Sequence, residues 1–276
     1  MKLTVAGHPC YLTTGDQCFN PAPSAAPTIV LIHGAANDGS VWQKVARGLT
    51  GLGYVVLVPD LPGHGQSRGE PLRNIEALAD WIIALLDATG VENAVLVGHS
   101  MGSLIALEAA ARHPLRVSRL ALLGASAPMP VSDALLGMAQ KNPDSACRMI
   151  TKYSHTPQFY LTGSGGHGVW GPGATLAIMR RSPPGALAID LDNCNRYQHG
   201  LQAAADVACP TLLVLARRDR MTPARNVQPL QAALRKVTRT EIPDCGHAMM
   251  NEQPERIVEA LQRFLQASEI ATKLHL

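Results

Sequence analysis

The hydrophobic positions of the chain form short continuous runs separated by longer periodic segments. Continuous apolar runs of strand length lie at Thr28–His33, Tyr54–Pro59, Val95–Gly98, Leu120–Gly124 and Pro210–Ala216. Such runs are typical of parallel strands that are covered on both faces. A last strand is predicted at Arg239–Ile242, and alternating stretches within Leu3–Tyr11 predict an antiparallel hairpin at a sheet edge.

Amphipathic helices are predicted between these strands. They are Ser40–Leu49 with Ser40 as its cap, Asn74–Thr89, Ser103–Arg112, Pro223–Lys236 with Thr222 as its cap, and Pro254–Ala267. Because strands alternate with helices, the pattern predicts an α/β fold with a parallel sheet. Right-handed crossovers should then place helices on both faces of that sheet.

The rhythm changes between Ser126 and Asp206, where no apolar run has the length of a strand and short helical patterns follow one another. We expect this segment to be an inserted helical lid. The predicted division is a core of residues 1–125 and 207–276, with residues 126–206 as the lid. Loops of such a lid decide specificity and are the part least readable from the pattern.

The segment Gly98–Gly102 has the pattern Gly-x-Ser-x-Gly and joins an apolar strand to a strong helix former. This context is typical of a nucleophile elbow, in which a strained turn presents the serine. Gly98 and Gly102 are small enough for the strand and the helix to approach each other. We interpret Ser100 as a nucleophile, and the alternative is an accidental turn between a strand and a helix.

A serine nucleophile needs a base and an acid that holds the base. His247 lies on the loop after the last strand, and Asp219 follows the strand that ends at Ala216. The arginines on either side of Asp219 should keep its carboxylate ionised. The order of serine, aspartate and histidine is that of α/β-hydrolases. Asp244 is a rival for the acid, and Asp133 is a weaker one.

An oxyanion hole would use two backbone N–H groups. One is that of Met101, directly after the nucleophile, and the other is that of Ala35, after the segment His33-Gly34. Donors of this kind are each worth about 3 kcal/mol of transition-state stabilisation.

Several side chains are candidates for lining a substrate pocket, since a lid closes over the serine. Aromatic residues and methionines in the lid would favour an apolar acyl or alkyl group, although they serve equally well for packing. The candidates for substrate binding are His99, Trp42, Met129, Tyr153, Phe159, Tyr160 and Trp170. His33, His64 and His99 are interpreted as structural hydrogen-bonding residues rather than ligands, and no residue spacing matches a metal site.

Composition narrows the function classes. With 276 residues and 46% hydrophobic residues, the chain can bury a large core, but no apolar run approaches the length of a membrane span. The net charge of +3 is dispersed, so nucleic acid is not an expected partner. The first residues lack a signal-peptide pattern, which predicts a cytoplasmic protein. The six cysteines include no Cys-x-x-Cys pair and suggest neither a zinc site nor a disulfide framework.

Five segments together resemble the α/β-hydrolase superfamily, in its single-domain esterase and lipase-like branch. They are His33-Gly34, Pro59–Ser67, Gly98–Gly102, Arg218–Pro223 and Gly246-His247. The resemblance implies an eight-stranded, mostly parallel sheet flanked by helices, with a helical lid after the sixth strand. Ser103 departs from the pattern, because many members carry a glycine there.

The predicted function is that of a serine hydrolase that cleaves a carboxylic ester, thioester or lactone through an acyl-enzyme on Ser100. Carbon–carbon bond hydrolases of the same fold are the nearest alternative, and a ligand-binding or receptor-like member with little turnover is another. We expect a small-molecule ester substrate, no cofactor and a monomer or homodimer. The acyl and alcohol groups are left open.

Overall fold

The computed structural model describes residues 1–15, 26–162 and 170–273. Within these residues a single mixed sheet contains eight strands. The strands are β1 (Lys2–Val5), β2 (His8–Thr13), β3 (Thr28–Ile32), β4 (Val55–Pro59), β5 (Ala94–His99), β6 (Val117–Leu123), β7 (Thr211–Ala216) and β8 (Val237–Ile242). Every predicted strand is present, and boundaries differ by up to three residues.

The strand order is β1-β2-β4-β3-β5-β6-β7-β8. The hairpin of β1 and β2 is antiparallel and joins β4 in antiparallel fashion, whereas all pairs from β4 to β8 are parallel. The eight-stranded, mostly parallel sheet is therefore confirmed. Because the parallel strands end at the same edge, the loops that follow β3, β5, β7 and β8 meet there.

Helices cover both faces of the sheet. They are α1 (Gln43–Gly51), α2 (Ile75–Ala88), α3 (Met101–Arg112), α4 (Asp133–Lys141), α5 (Pro143–Ser154), α6 (Pro157–Thr162), α7 (Gly171–Arg181), α8 (Ala186–Arg196), α9 (Gly200–Asp206), α10 (Gln228–Ala233), α11 (Met249–Glu252) and α12 (Pro254–Lys273). Asn74, the first residue of the predicted helix Asn74–Thr89, caps α2, because its side chain accepts a hydrogen bond from the Ala77 amide.

Alternate residues of the central strands pack into two different cores. In β3, Val30 and Ile32 join the cluster beneath α2, α3, α9 and α10, whereas Ile29 and Leu31 join the cluster beneath α1, α11 and α12. This follows from the strand period of two, which points successive side chains to opposite faces. A continuous apolar run is therefore what a strand buried on both faces requires.

Six helices, α4 to α9, occupy the stretch between β6 and β7 in the described part of the chain. A third apolar cluster, which includes Cys147, Leu176, Met179 and Leu191, packs α4, α5, α7 and α8 on one another. The last helix, α9, instead packs on α3 and buries Ala203 in the main core. We call α4 to α8 the cap. The division at residues 126 and 206 stays a prediction, and α9 lies with the core helices.

Two predicted helix starts are wrong. A short 3-10 turn, Gly39–Trp42, precedes α1, and Asp38 rather than Ser40 accepts the capping hydrogen bond. The helix predicted for Pro223–Lys236 is divided into a 3-10 turn and α10, and Thr222 caps neither of them. Its hydroxyl lies 2.8 Å from an Asp219 carboxylate oxygen instead. A Ser or Thr before a helical pattern is ambiguous because its hydroxyl serves tertiary contacts as well as caps.

The described cysteines, which exclude Cys18, are all free thiols. Within the described ranges, no helix is both long enough and apolar enough to cross a membrane.

The first turn of α3 lies directly against the ends of β3 and β5. A Cβ atom on Gly98 would come within 2.0 Å of the Gly102 carbonyl oxygen, and one on Gly102 within 2.4 Å of the Ile32 carbonyl oxygen. Both distances are far inside van der Waals contact, and backbone atoms cannot rotate away. The two glycines of the predicted elbow are therefore required by this close approach.

We expect Gly98→Ala to lower the free energy of unfolding by about 3 kcal/mol or more, because the added methyl group forces β5 and α3 apart. Urea denaturation followed by circular dichroism measures the change. Gly137→Ala is the matched control, since a Cβ there meets no atom within 4 Å and Gly137 lies inside α4. That substitution should stabilise the protein slightly, through helix propensity. Equal stability of the two variants would contradict the packing argument.

Candidate active site

Ser100 lies at the turn between β5 and α3. Its backbone has a φ of +55° and a ψ of −120°, a combination that residues with a side chain rarely adopt. The Ser100 amide donates to the Leu123 carbonyl oxygen at 2.9 Å, and the Ser103 hydroxyl donates to the Ser100 carbonyl oxygen at 2.6 Å. Ser103, where the family pattern has a glycine, thus helps to hold the strained turn.

His247 follows β8 and reaches across the edge of the sheet to the loop after β7. Its Nδ1 atom lies 2.7 Å from Asp219 Oδ2, and both side chains are buried. An ionised carboxylate can only accept, so the imidazole carries its proton on Nδ1. The Nε2 atom is then left with a lone pair that can accept a proton.

The Asp219 carboxylate is held by an unusually complete set of donors. Oδ1 accepts hydrogen bonds from the amides of Met221 and Thr222, both at 2.8 Å, and Oδ2 faces the Thr222 hydroxyl as well as His247. Burial opposes the charge of Asp219, but His247 and Thr222 outweigh it and hold the pKa of Asp219 below its ordinary value. The carboxylate is therefore ionised at neutral pH.

The arginines beside Asp219 do not contribute as predicted. Arg218 pairs with Asp244 at 2.6 Å, and the Arg220 guanidinium lies 4.2 Å from the centre of the Tyr153 ring. Both guanidinium groups are therefore engaged elsewhere rather than paired with Asp219. Asp244, the rival acid, is exposed and engaged by Arg218, and Asp133 lies exposed in the first turn of α4. The structure thus brings Asp219, and neither rival, to His247.

Ser100 and His247 line the same cavity. Among the described residues, no hydrogen bond joins the Ser100 hydroxyl to His247. Catalytic hydrogen bonds are often long before substrate is bound and tighten in the complex. The structure therefore shows the hydrogen-bonded pair of His247 and Asp219 and places Ser100 in the cavity that His247 lines.

The loop after β3 packs against Ser100. A Cβ atom on Gly34 would lie 3.1 Å from the Ser100 Cβ atom. The Gly34 carbonyl oxygen accepts from His33 Nδ1 at 2.9 Å, and His33 Nε2 accepts from the Leu61 amide at 3.0 Å. Burial, followed by the nearby His64, lowers the pKa of His33 to about 4, so this ring is neutral. His33 therefore orients the peptide unit that joins Gly34 to Ala35, as its structural interpretation predicts.

Two backbone N–H groups beside Ser100 have no acceptor within the described part of the chain. They belong to Ala35 and to Met101, the first residue of α3. The first N–H groups of a helix have no partner inside the helix, and they carry its positive dipole end. These are the two donors predicted for an oxyanion hole.

His99 underlies the site. Its Nε2 atom donates to the His247 carbonyl oxygen at 2.8 Å, and the two rings are 4.6 Å apart. Burial, followed by the nearby His247, lowers the pKa of His99 to about 3. A neutral ring here supports the backbone of His247 without placing a positive charge next to it.

The cavity above Ser100 has a volume of about 480 Å³, within the range of small-molecule sites. Its floor contains His99, Ser100 and His247, and Met221 and Met250 lie beside them. The cap contributes mostly apolar side chains, which are Ile150, Ala174, Ala177, Ile178, Met179 and Leu191. The cavity therefore suits an apolar group placed against the serine.

Of the seven residues predicted to bind substrate, His99 lines this cavity and the other six do not. Trp42 is fully buried against His99, and Met129 packs in the main core. Four cap aromatics contact other protein groups: Tyr153 stacks with Arg220, Phe159 stacks on His155, and the rings of Tyr160 and Trp170 meet edge to face. These aromatic rings therefore pack against other protein groups, which is the alternative to substrate binding that the sequence left open.

The sequence reasoning missed most of the cavity wall. Helix α7 supplies Ala174, Thr175, Ala177 and Ile178 to this wall. Their spacing is that of one helical face and can be seen in the sequence, but it does not show whether that face lines a cavity or packs in the core. It also missed Asp190, a buried acid between apolar neighbours in α8. A carboxylate on an apolar helix face is a usable signal, because charges are almost never buried without a partner.

Comparison with known proteins assigns the family. A model of the alpha/beta hydrolase family matches residues 29–260, which is most of the chain. The chain belongs to the alpha/beta hydrolase family. The sheet order and the serine turn of this alpha/beta hydrolase agree with the resemblance seen in the five sequence segments.

Named relatives of this alpha/beta hydrolase include esterases. The biotin biosynthesis bifunctional protein BioHC of Cellvibrio japonicus is 29% identical over 252 residues, which cover 86% of this chain and 47% of that protein. The chain thus spans about half the length of that relative. The pimeloyl-(acyl-carrier protein) methyl ester esterase of Chromobacterium violaceum is 32% identical over 255 residues, covering 87% of this chain and 94% of the relative.

Solved structures show the same fold. The enol-lactonase from Burkholderia xenovorans LB400 superimposes with a TM-score of 0.85, covering 96% of this chain and 100% of that chain. Its sequence identity is 19%, so the likeness is one of fold alone.

We expect Thr222→Val to lower the free energy of unfolding by about 2 kcal/mol at neutral pH, because the buried Asp219 carboxylate loses a donor. Urea denaturation measures the loss, and Thr222→Ser is the control that keeps the hydroxyl. Since the pKa of Asp219 is lowered, its stabilising contribution is complete above about pH 4 and is lost as pH falls through the lowered pKa. The difference in the free energy of unfolding between Thr222→Val and Thr222→Ser should therefore become smaller on acidification. Equal stability of the two variants at neutral pH would contradict a stabilising contact between Thr222 and Asp219.

Proposed function

We propose that this alpha/beta hydrolase is a carboxylic ester hydrolase that acts through an acyl-enzyme on Ser100. The observation that carries the proposal is the 2.7 Å contact between His247 Nδ1 and Oδ2 of the ionised Asp219. The imidazole of His247 lines the same cavity as Ser100. Such a contact directs the free Nε2 lone pair toward a substrate-binding space.

In the first step, the Ser100 oxygen attacks the ester carbonyl carbon and its proton passes to His247 Nε2. The imidazolium then donates this proton to the alkoxy oxygen as the carbon–oxygen bond breaks, and the alcohol leaves. Asp219 keeps the ring in the required tautomer and stabilises its positive charge. Neither Asp219 nor Ser100 needs an unusual protonation state at neutral pH.

In the second step, water attacks the acyl-enzyme with His247 as the base, and the carboxylic acid is released while Ser100 regains its proton. Negative charge develops on the carbonyl oxygen in both steps. The N–H groups of Ala35 and Met101, which lack acceptors among the described residues, would stabilise it. A pair of backbone donors needs no reorganisation when the charge forms.

The cavity favours an ester with an apolar acyl or alkyl group. The cap wall is formed mostly by aliphatic side chains and methionine, with Thr175 and Ser154 among the polar exceptions. The pimeloyl-(acyl-carrier protein) methyl ester esterase among the relatives supports ester cleavage. Carbon–carbon bond hydrolysis would call for polar, ring-recognising groups in the cap, and the apolar wall favours the ester.

We expect Ser100→Ala to abolish turnover of a short-chain nitrophenyl ester, lowering kcat by a factor of about 10⁴ or more, because the covalent step is lost. Labelling by a fluorophosphonate probe should disappear as well. Ser118→Ala is the control, since its hydroxyl bonds to the Ala94 carbonyl oxygen on the sheet and touches no site residue. Unchanged turnover in Ser100→Ala, or wild-type protein that neither turns over esters nor reacts with the probe, would refute the proposal.

We expect Asp219→Asn to lower kcat for ester hydrolysis by a factor of about 10⁴, because an amide does not favour the His247 tautomer that carries its proton on Nδ1. Steady-state kinetics with the same nitrophenyl ester measures the loss. An unchanged kcat in Asp219→Asn would remove Asp219 from the role of the acid that holds the base.

A further inference from the structure

A buried polar contact joins the cap to two loops at the edge of the sheet. Asp190 Oδ2, from α8, lies 2.8 Å from His64 Nε2 and 2.7 Å from the Ala36 amide nitrogen. The side chains of Asp190 and His64 are each only 1% exposed. Ionisable groups at such depth are costly unless they are paired and fully hydrogen-bonded. The mechanism proposed above uses neither of them.

The contacts of His64 define its charge. Its second ring nitrogen, Nδ1, lies 3.0 Å from the Pro62 carbonyl oxygen. Both ring nitrogens therefore face acceptors, and only the imidazolium has two N–H groups to give them. Burial disfavours this charge, but the charge of Asp190 and its hydrogen bond outweigh burial and raise the pKa of His64. Asp60 also faces the ring, and the neutral His33 ring lies 5.2 Å away.

The cap holds Ala36 by both of its backbone polar groups. Its amide donates to Asp190, and its carbonyl oxygen accepts from the Ser182 hydroxyl at 2.8 Å. Ala36 is buried and has a φ of +52°, a left-handed conformation that is unusual for a residue with a side chain. A backbone in this conformation persists when its surroundings hold it there.

Resting on the ester hydrolase function proposed above, we propose that Asp190 is a positioning residue. Its carboxylate fixes Ala36 from the cap and thereby aims the Ala35 N–H at the oxyanion. On the other side of that N–H, His33 holds the Gly34 carbonyl oxygen at 2.9 Å. The donor thus lies between a core histidine and a cap carboxylate, and the oxyanion hole is complete only with the cap in place.

The test compares kcat, KM and the affinity of an aryl trifluoromethyl ketone, which forms a tetrahedral adduct with a serine and places an oxyanion in the hole. In Asp190→Ala, we expect kcat to fall about tenfold or more and the inhibitor affinity to fall by a similar factor. KM should stay within about threefold of wild type, because the lost interaction belongs to the transition state.

Asp190→Asn should lie between wild type and Asp190→Ala. One carboxylate oxygen accepts from both Ala36 and His64, and an amide oxygen in its place still accepts from Ala36. Without the carboxylate charge, the imidazolium form of His64 is less stable, and a neutral His64 ring donates one hydrogen bond instead of two. Asp192→Asn is the matched control, because Asp192 lies on the same helix, is 47% exposed and pairs with Arg196 on the surface. It should leave all three quantities unchanged.

A folded Asp190→Ala protein that keeps kcat and inhibitor affinity within about twofold of wild type would overturn the proposal. A loss confined to KM would overturn it too, since it would indicate a role in the cap wall alone. Should Asp190→Ala not fold, Asp190→Asn decides: a parallel loss of about threefold in kcat and inhibitor affinity supports the positioning role, and wild-type values refute it. Inactive, unlabelled wild-type protein would refute the ester hydrolase function and this role together.

Discussion

The close contact of three backbone segments is the constraint on which the site depends. The first turn of α3 rests on the end of β3, with no room for a side chain at Gly102, and the loop after β3 rests on Ser100, with little room at Gly34. These contacts place the N–H groups of Ala35 and Met101, which have no acceptor among the described residues, beside the Ser100 hydroxyl. Because the donors are backbone groups on packed elements, they need little reorganisation when negative charge develops next to them.

Burial acts differently on the histidines around this contact. His33 and His99 each have only one ring nitrogen that donates to a carbonyl oxygen, and burial keeps both rings neutral. His64 faces two acceptors, one of them a carboxylate, and its pKa is raised. The charge of a buried imidazole therefore follows from the acceptors around it. The charge of the His64 ring is paired with the Asp190 carboxylate at 2.8 Å.

The cap combines an apolar wall with polar ties to the core. Its own cluster packs α4, α5, α7 and α8 together and includes Ala36 from the loop after β3. Asp190 and Ser182 tie it to Ala36, and Arg181 ties it to Asp38 at 3.0 Å. The helices α7 and α8 therefore contribute both to the apolar wall and to the polar ties.

Local pattern by itself determined the strands, most helices and the serine turn, because apolar runs, helical periodicity and paired glycines report on neighbours along the chain. The same reasoning brought Asp219 and His247 to one edge, since loops after parallel strands end there. Only the tertiary structure decided which side chains face the cavity, that Thr222 serves Asp219 rather than a helix, and that Asp190 reaches Ala36. The cavity lining and the Asp190 contact depend on how the cap helices lie over the sheet, and a contact such as that of Asp190 with Ala36, residues more than a hundred positions apart, leaves no periodicity in the sequence. Thr222 lies only three residues after Asp219, but the local pattern does not distinguish a hydroxyl that caps a helix from one that contacts a carboxylate.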